Sequence, residues 1–252
     1  MNGSSIFQED LLDSFILHIP HSSVLIPDRT GYDVKLLENE NEKLTDHLTD
    51  IIFNVEGINQ IKFPYSRVFC DVERFPNDND EPMAKFGRGF YYTNTDDGDV
   101  LREHNESHKQ IVYENYYKPH HEKLFNLCEE KIKQYGSCTI IDCHSFPDIP
   151  FKTDLNQNKS RPDICLGVDD FHTPKWMVNF IVQYFKEIGF TVEINNPYEG
   201  TIIPLEYYKK NKNVYGIMIE INRNLYMKDG IQLPNVSYLN NKIITLFSQM
   251  FL

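Results

Sequence analysis

Three short polar clusters close apolar runs in this chain, and each could do chemistry. The first is Ile19-Pro20-His21-Ser22-Ser23, where a β-prone run delivers a histidine into a Ser-rich turn. His21 there suits a metal ligand or a general base, or a turn histidine satisfied by backbone groups. The second is Asp142-Cys143-His144-Ser145, again a run that ends in histidine. Strand ends converge on one edge of a sheet, so two such histidines point to a shared site. A catalytic zinc site needs three protein ligands and an open position, and imidazole nitrogen is a common ligand. Asp142 fits either the carboxylate that orients an imidazole from behind or a cap on the following turn. The third cluster is Glu220 within Ile217-Met218-Ile219-Glu220-Ile221-Asn222-Arg223. A glutamate closing an apolar strand is expensive to bury unless paired or functional. It could take a proton from an activated water, or form an ion pair with Arg223.

Two further features concern a substrate. Arg67 and Arg74 flank the run Val68 to Val72. A planar guanidinium grips a carboxylate with two parallel hydrogen bonds, so the pair suggests an acidic substrate, with pairing to the chain's own Asp and Glu as the alternative. Asn195-Asn196-Pro197-Tyr198-Glu199-Gly200 is a turn-rich loop after a strand. A third metal ligand could come from Asp46 or Asp50, one turn apart, although both also suit a solvated helix face. His104 and His108 lie one turn apart and read as surface or supporting residues. His120 and His121 follow Pro119, and His121 is placed to pack toward the site.

The elements that must position these groups alternate between strand and helix. Phe15–Ile19, Ile58–Phe63, Arg67–Val72, Phe90–Thr93, Thr139–Cys143, Asp163–Val168, Phe190–Ile194 and Val214–Ile221 read as strands. Leu44, Leu48, Ile51 and Ile52 fall at helical spacing on one expected buried face. A long helical region runs from about Leu101 to Gln134, with a kink or break expected at Pro119 and a stop at Gly136. Residues 145–162 hold three prolines and read as a long loop. Pro174–Glu187 and Val236–Phe251 are helical. This alternation is the signature of a sheet with helices on both faces, in one domain spanning residues 1–252.

Composition narrows the partners. With 252 residues, 37 acidic against 25 basic and a net charge of -12, the surface repels nucleic acid and anionic membranes. No apolar run reaches the roughly 18 residues of a membrane span. The five cysteines, Cys70, Cys128, Cys138, Cys143 and Cys165, form no Cys-x-x-Cys pair and read as small buried hydrophobes. With no leader-like N-terminus, a cytoplasmic location is expected.

Taken in order, seven motifs resemble the N-formylglutamate amidohydrolase family over about residues 15–230. They are Ile-Pro-His21-Ser-Ser, Asp46 in Thr-Asp-His-Leu-Thr-Asp, Arg67 through Asp71 to Arg74-Phe-Pro, Tyr117-Lys-Pro-His-His121, Asp142-Cys-His144-Ser, Asn196-Pro-Tyr-Glu-Gly200 and Glu220-Ile-Asn-Arg-Asn-Leu-Tyr226. The resemblance implies a three-layer α/β/α sandwich around a mixed sheet, related to the zinc carboxypeptidases (phosphorylase/hydrolase-like). It implies Zn2+, or another divalent transition metal, on His21, His144 and Asp46, with Asp50 fitting the spacing almost as well. Glu220 would be the general base. Arg67, Arg74, Asn196 and Arg223 would hold substrate or the developing oxyanion. Carboxypeptidases carry a ligand glutamate three residues after the first histidine, where this chain has Val24, so the third ligand must come from elsewhere. Glu73-Arg74 stands where the family often has Asn-Arg, which bears on specificity. The implied reaction is hydrolysis of an N-acyl amino acid, a small anionic substrate of amino acid metabolism, with N-formyl-L-glutamate first. The alternatives are a metallo-amidase acting on another acylated amino acid or short peptide, and a non-catalytic binding module on the same fold.

Overall fold

A computed structural model describes residues 12–250. Its centre is a six-stranded sheet of order β2-β1-β3-β6-β4-β5. The strands are β1 (Phe15–Ile19), β2 (Asn59–Lys62), β3 (Cys138–Phe146), β4 (Ile164–Gly167), β5 (Val192–Ile194) and β6 (Val214–Asn222). All neighbours pair in parallel except β4 and β6, which are antiparallel, so the sheet is mixed. β1 and β3 are buried along their whole length, as strands covered on both faces must be.

The helices are α1 (Val34–Leu44), α2 (Thr49–Ile52), α3 (Glu106–Val112), α4 (Lys118–Tyr135), α5 (Lys175–Glu187) and α6 (Val236–Gln249). One face of the sheet, carrying Leu17, Ile141, Cys143, Ile217, Ile219 and Ile221, packs on Met177, Ile181 and Phe185 of α5 and on Leu239, Ile243 and Phe247 of α6. The opposite face begins apolar, where Ile16, Ile61 and Ile140 meet Leu124 and Cys128 of α4. Further along the same strands it becomes polar. Helices thus cover both faces, giving the α/β/α sandwich.

Four expectations are corrected. Arg67–Val72 is a turn, because the Ser66 hydroxyl accepts from Val68 N–H (3.0 Å) while Ser66 O accepts from the amides of Phe69 and Cys70. Its apolar residues are buried in a second cluster beside the sheet. Phe90–Thr93 contributes only an isolated bridge, Arg88 with Tyr92. Leu44, Leu48, Ile51 and Ile52 do not share a helix face. α1 ends at Leu44, Leu48 takes φ 65°, and Ile51 on α2 is exposed.

The fourth concerns Pro119. The expected helix starts only at Glu106, capped by the Asn105 side chain on His108 N–H, and it does not break at the proline. A π-helical stretch, Tyr113–Tyr117, precedes α4, and Lys118 N–H reaches back to Tyr113 O. Pro119 thereby enters α4 in its first turn, the place in a helix where a proline is tolerated. Gly136 ends α4 at φ 80° with its N–H on Ile132 O, as expected for a left-handed cap.

Candidate active site

The polar half of the sheet face follows from strand parity. Parallel register places Ile16 beside Ile140, His18 beside Asp142, and His144 beside Glu220. Residues two apart share a face, so His18, Asp142, His144 and Glu220 all project on the same side. His21 arrives just past β1, after Pro20. Asp46 is brought to it by the backbone, since Asp46 N–H donates to His21 O (2.9 Å).

Three donor atoms converge there. His21 Nδ1 and His144 Nδ1 lie 3.2 Å apart, and Asp46 Oδ2 lies 3.6 and 3.1 Å from them respectively. All three residues are buried. The far nitrogen of each ring meets a carboxylate: His21 Nε2 lies 2.8 Å from Asp71 Oδ1, and His144 Nε2 lies 3.0 Å from Asp142 Oδ1. With both Nε2–H groups donating outward, both Nδ1 lone pairs and the Asp46 oxygen face one point. Such an arrangement is repulsive unless a cation or proton sits among them. Tetrahedral ligands bonded at zinc–nitrogen and zinc–oxygen lengths stand about 3.4 Å apart, which matches these separations. Imidazoles backed by carboxylates are the usual supporting pattern of such sites. The donor set therefore fits a divalent metal. Asp50 is not part of the cluster; it lies on α2, half-buried, and its backbone O accepts from Lys62 Nζ.

The surrounding charges tune these groups. Burial works to raise the Asp46 carboxyl, but His144, His21 and Arg223 hold it well below the ordinary range. Asp71 is likewise pushed up by burial and drawn well down by Arg67, His21 and Arg74. Burial opposes charge on His144, yet Asp142, Asp46 and Glu220 raise its ring well above an ordinary imidazole. Glu220 goes the other way. Burial, helped by Asp46, lifts it to about 8 against His144, Arg67 and Arg223. Its Oε2 has no hydrogen-bond partner among the described residues.

The arginines are placed as follows. Arg67 Nε and Nη2 donate to Asp71 Oδ2 (3.2 and 2.9 Å), and its Nη1 stands 3.9 Å from Asp46 Oδ1. Arg74 Nε is 3.5 Å from Asp71 Oδ2. Arg223 pairs with Asp46, not Glu220: Nη2 donates to Asp46 Oδ1 (2.8 Å), Nε to Ser145 Oγ (3.1 Å) and Nη1 to Lys43 O (3.0 Å). Asn196 stands apart from this group in its bonding, donating to Glu193 and accepting from Asn156 Nδ2 (2.5 Å).

Several participants were not singled out from the sequence. Asp71 also accepts from the Tyr92 hydroxyl (2.6 Å) and the Glu73 amide (3.1 Å). Its spacing to Arg67 and Arg74, i+4 and i−3, was the available signal. His18 and Glu73 lie behind Asp142, and His18 shares its face with Ile16, a polar residue at an apolar parity. Of the histidine pair on α4, His120 reaches His18, while His121 packs on Tyr117 with ring centroids 4.2 Å apart. His104 and His108 hold separate partners: exposed His104 meets Glu106, and His108 bridges Tyr91 and Asp28.

An α/β/α sandwich with a buried His-Asp-His cluster and a carboxyl beside it at the strand ends defines a hydrolase-type site. The family model for N-formylglutamate amidohydrolase matches residues 13–227, and the chain belongs to that family, whose members hydrolyse an amide. Among solved structures, it is similar to an N-formylglutamate amidohydrolase from Ralstonia eutropha JMP134, with TM-score 0.83, 20% identity, and coverage of 94% of this chain and 92% of that one. It is also similar to a gene product from Agrobacterium tumefaciens, with TM-score 0.64, 15% identity, and coverage of 94% and 91%. A search of curated proteins gave no match. No helix among the described residues is long and apolar enough to cross a membrane.

Proposed function

We propose that this chain is a zinc-dependent enzyme that hydrolyses the amide of an N-acyl amino acid, with N-formyl-L-glutamate as the first candidate. The observation that carries this is the convergence of His21 Nδ1, His144 Nδ1 and Asp46 Oδ2 beside a buried Glu220. His21, Asp46 and His144 hold the ion, which supplies Lewis acidity toward a carbonyl and toward water.

Glu220 acts as general base. Its Oε2, without a hydrogen-bond partner among the described residues, accepts a proton from the attacking water and returns it to the amine nitrogen as the C–N bond breaks. Burial lifts the Glu220 carboxyl to about 8 with no ion beside it, and a divalent charge at the cluster would draw it back toward the ionised form that a base needs near neutral pH. Arg67 is fixed by Asp71 through two N–H groups, leaving Nη1 to meet the developing oxyanion or a substrate carboxylate. Arg74 steadies Asp71 and Arg223 steadies Asp46, so both act on substrate through the residues they orient. Asn196 belongs to the loop after β5, where its amide is shared with Glu193 and Asn156.

One domain carries this site across the described residues, because its members come from the turn just past β1, from β3 and β6, and from the segment between α1 and β2. The five cysteines are free and buried, which suits the reducing cytoplasm. The test is formate release from N-formyl-L-glutamate by zinc-loaded protein, beside a panel of other N-acyl amino acids and short peptides. Turnover of another panel member reassigns the acyl group or amino acid. No turnover of any, by folded and metal-loaded protein, sinks the enzyme reading in favour of a binding module.

A further inference from the structure

The two histidines of the cluster are backed in different ways. Asp71, behind His21, is gripped by Arg67, by Arg74 and by the Tyr92 hydroxyl. Asp142, behind His144, pairs with no arginine among the described residues. Apart from His144, its partners are His18 Nδ1 on Oδ1 (2.9 Å) and Ile202 N–H on Oδ2 (3.1 Å). Asp142 and His18 are both fully buried, and a buried carboxylate needs a hydrogen-bonded counter-charge.

His18 is built to be that charge. Its Nδ1 lies between Asp142 Oδ1 (2.9 Å) and Glu73 Oε1 (3.1 Å). Its Nε2 lies 2.8 Å from His120 Nε2. Only one proton fits between those two nitrogens. Two carboxylates stand on the His18 side, whereas burial and the neighbouring histidines press the His120 ring well below an ordinary imidazole. Burial opposes charge on His18, but Asp142 and Glu73 hold its ring up to about 9. His18 then donates at both ends, and His120 accepts as a neutral ring. The result is a chain His144–Asp142–His18–His120 that joins β3, β1 and α4. It runs through a layer otherwise made of Ile16, Ile61, Ile140, Leu124 and Cys128, where an aliphatic residue at position 18 would pack without any polar demand. A buried polar chain in such surroundings is tolerated only if every member is satisfied.

We propose that His18 is a positioning residue for the metal centre: it fixes Asp142 on Nε2 of His144, which keeps Nδ1 of His144 aimed at the ion, while His120 fixes the His18 ring from the far side. This rests on the assignment of His21, Asp46 and His144 as ligands. The neighbouring trio His18, Glu73 and Asp142 holds a proton rather than a second metal.

The test uses full-length protein. With 15N-labelled histidine, NMR at neutral pH should show both ring nitrogens of His18 protonated and His120 neutral, with and without zinc. Chelator competition should show His18→Leu weakening zinc binding by roughly 10–100-fold, the usual effect of losing a supporting partner behind a ligand. His18→Asn, whose Nδ2 can take the place of Nδ1 and donate to Asp142, should recover part of that loss, which a purely packing role would not. A single proton on His18 overturns the proposal, and this measurement needs no variant to fold. Unchanged zinc affinity in folded His18→Leu overturns it too, as does a second bound zinc that disappears with that substitution. If the unmutated protein binds no zinc, the ligand assignment falls and takes this proposal with it. Zinc binding that is normal but indifferent to residue 18 defeats this proposal alone.

Discussion

The two faces of the central sheet share their strands and differ in nearly everything else. On one, Leu17, Ile141, Cys143, Ile217, Ile219 and Ile221 meet α5 and α6 in a continuous apolar layer. On the other, Ile16 gives way to His18, Ile140 to Asp142 and His144, and Gly216 to Met218 and Glu220 as the strands approach their C-terminal ends. Alternation along a strand makes this possible: each residue is assigned to one face, so chemistry and packing are specified independently at neighbouring positions. Cys143 and His144, or Ile219 and Glu220, are adjacent in the chain and belong to different parts of the energetics. The apolar face supplies the free energy that lets the other bury charged groups.

The largest effect expected is on the polar face. His21→Ala and His144→Ala should each abolish stoichiometric zinc after dialysis, measured by metal analysis, and reduce amide hydrolysis to background. Retention of zinc in either variant would remove that residue from the ligand set. Glu220→Gln should keep zinc while kcat falls by about 10²–10⁴-fold, the range for a lost general base. Its thermal midpoint should stay level or rise, since the substitution removes a buried carboxyl whose Oε2 has no partner among the described residues. An unchanged kcat would contradict the assigned role.

One residue away, Ile219→Ala should do the reverse. A fully buried isoleucine truncated on the apolar face should cost about 2–5 kcal/mol in denaturant unfolding, with kcat per folded molecule preserved. If that variant lost activity without losing stability, the separation between the faces would be wrong.

The smallest effect concerns the loops beyond the polar face. The buried Asp96 carboxylate accepts from the amides of Lys152 (3.0 Å) and Thr153 (2.8 Å) and pairs with Lys43 (2.7 Å). Burial works to raise it, but these partners bring it down to about 2. A folded-state value below the unfolded one contributes stability above about pH 4, and that stability is lost as pH falls toward 2. The contribution is about 2 kcal/mol. Asp96→Asn should therefore flatten the acid limb of a stability–pH curve and leave the neutral limb's slope alone.

Much of this arrangement is legible in the sequence. His21, His144 and Glu220 close apolar runs, and strand ends gather at one edge, so their meeting followed from pattern. The choice between Asp46 and Asp50 did not, because it depends on the backbone bond from Asp46 to His21 and on Leu48 at φ 65°. Both are set by tertiary contact across the turn, not by helical spacing. Arg67 and Arg74 were visible as cations, but the carboxylate they share was hidden by an apolar run that looked like a strand. There the Ser66 hydroxyl turned the chain, overriding the β-propensity of Val68, Phe69 and Val72. His18 was readable from parity alone, as the polar member of a pair with Ile16.

The wide turn at Tyr113–Tyr117 has a consequence for how the chain can be altered. It divides one helical rod into two segments whose angular phases are set separately. Within it, Tyr113 and Tyr117 stand against Phe90; upstream, His108 is held between Tyr91 and Asp28; downstream, His120 is delivered to His18. Removing a single residue from the wide turn would restore an ordinary α-helical count and rotate one segment against the other by about 100°. No point substitution makes such a change. The alignment of the two segments is therefore a matter of chain length, open to revision by insertion or deletion and largely insulated from changes of side chain.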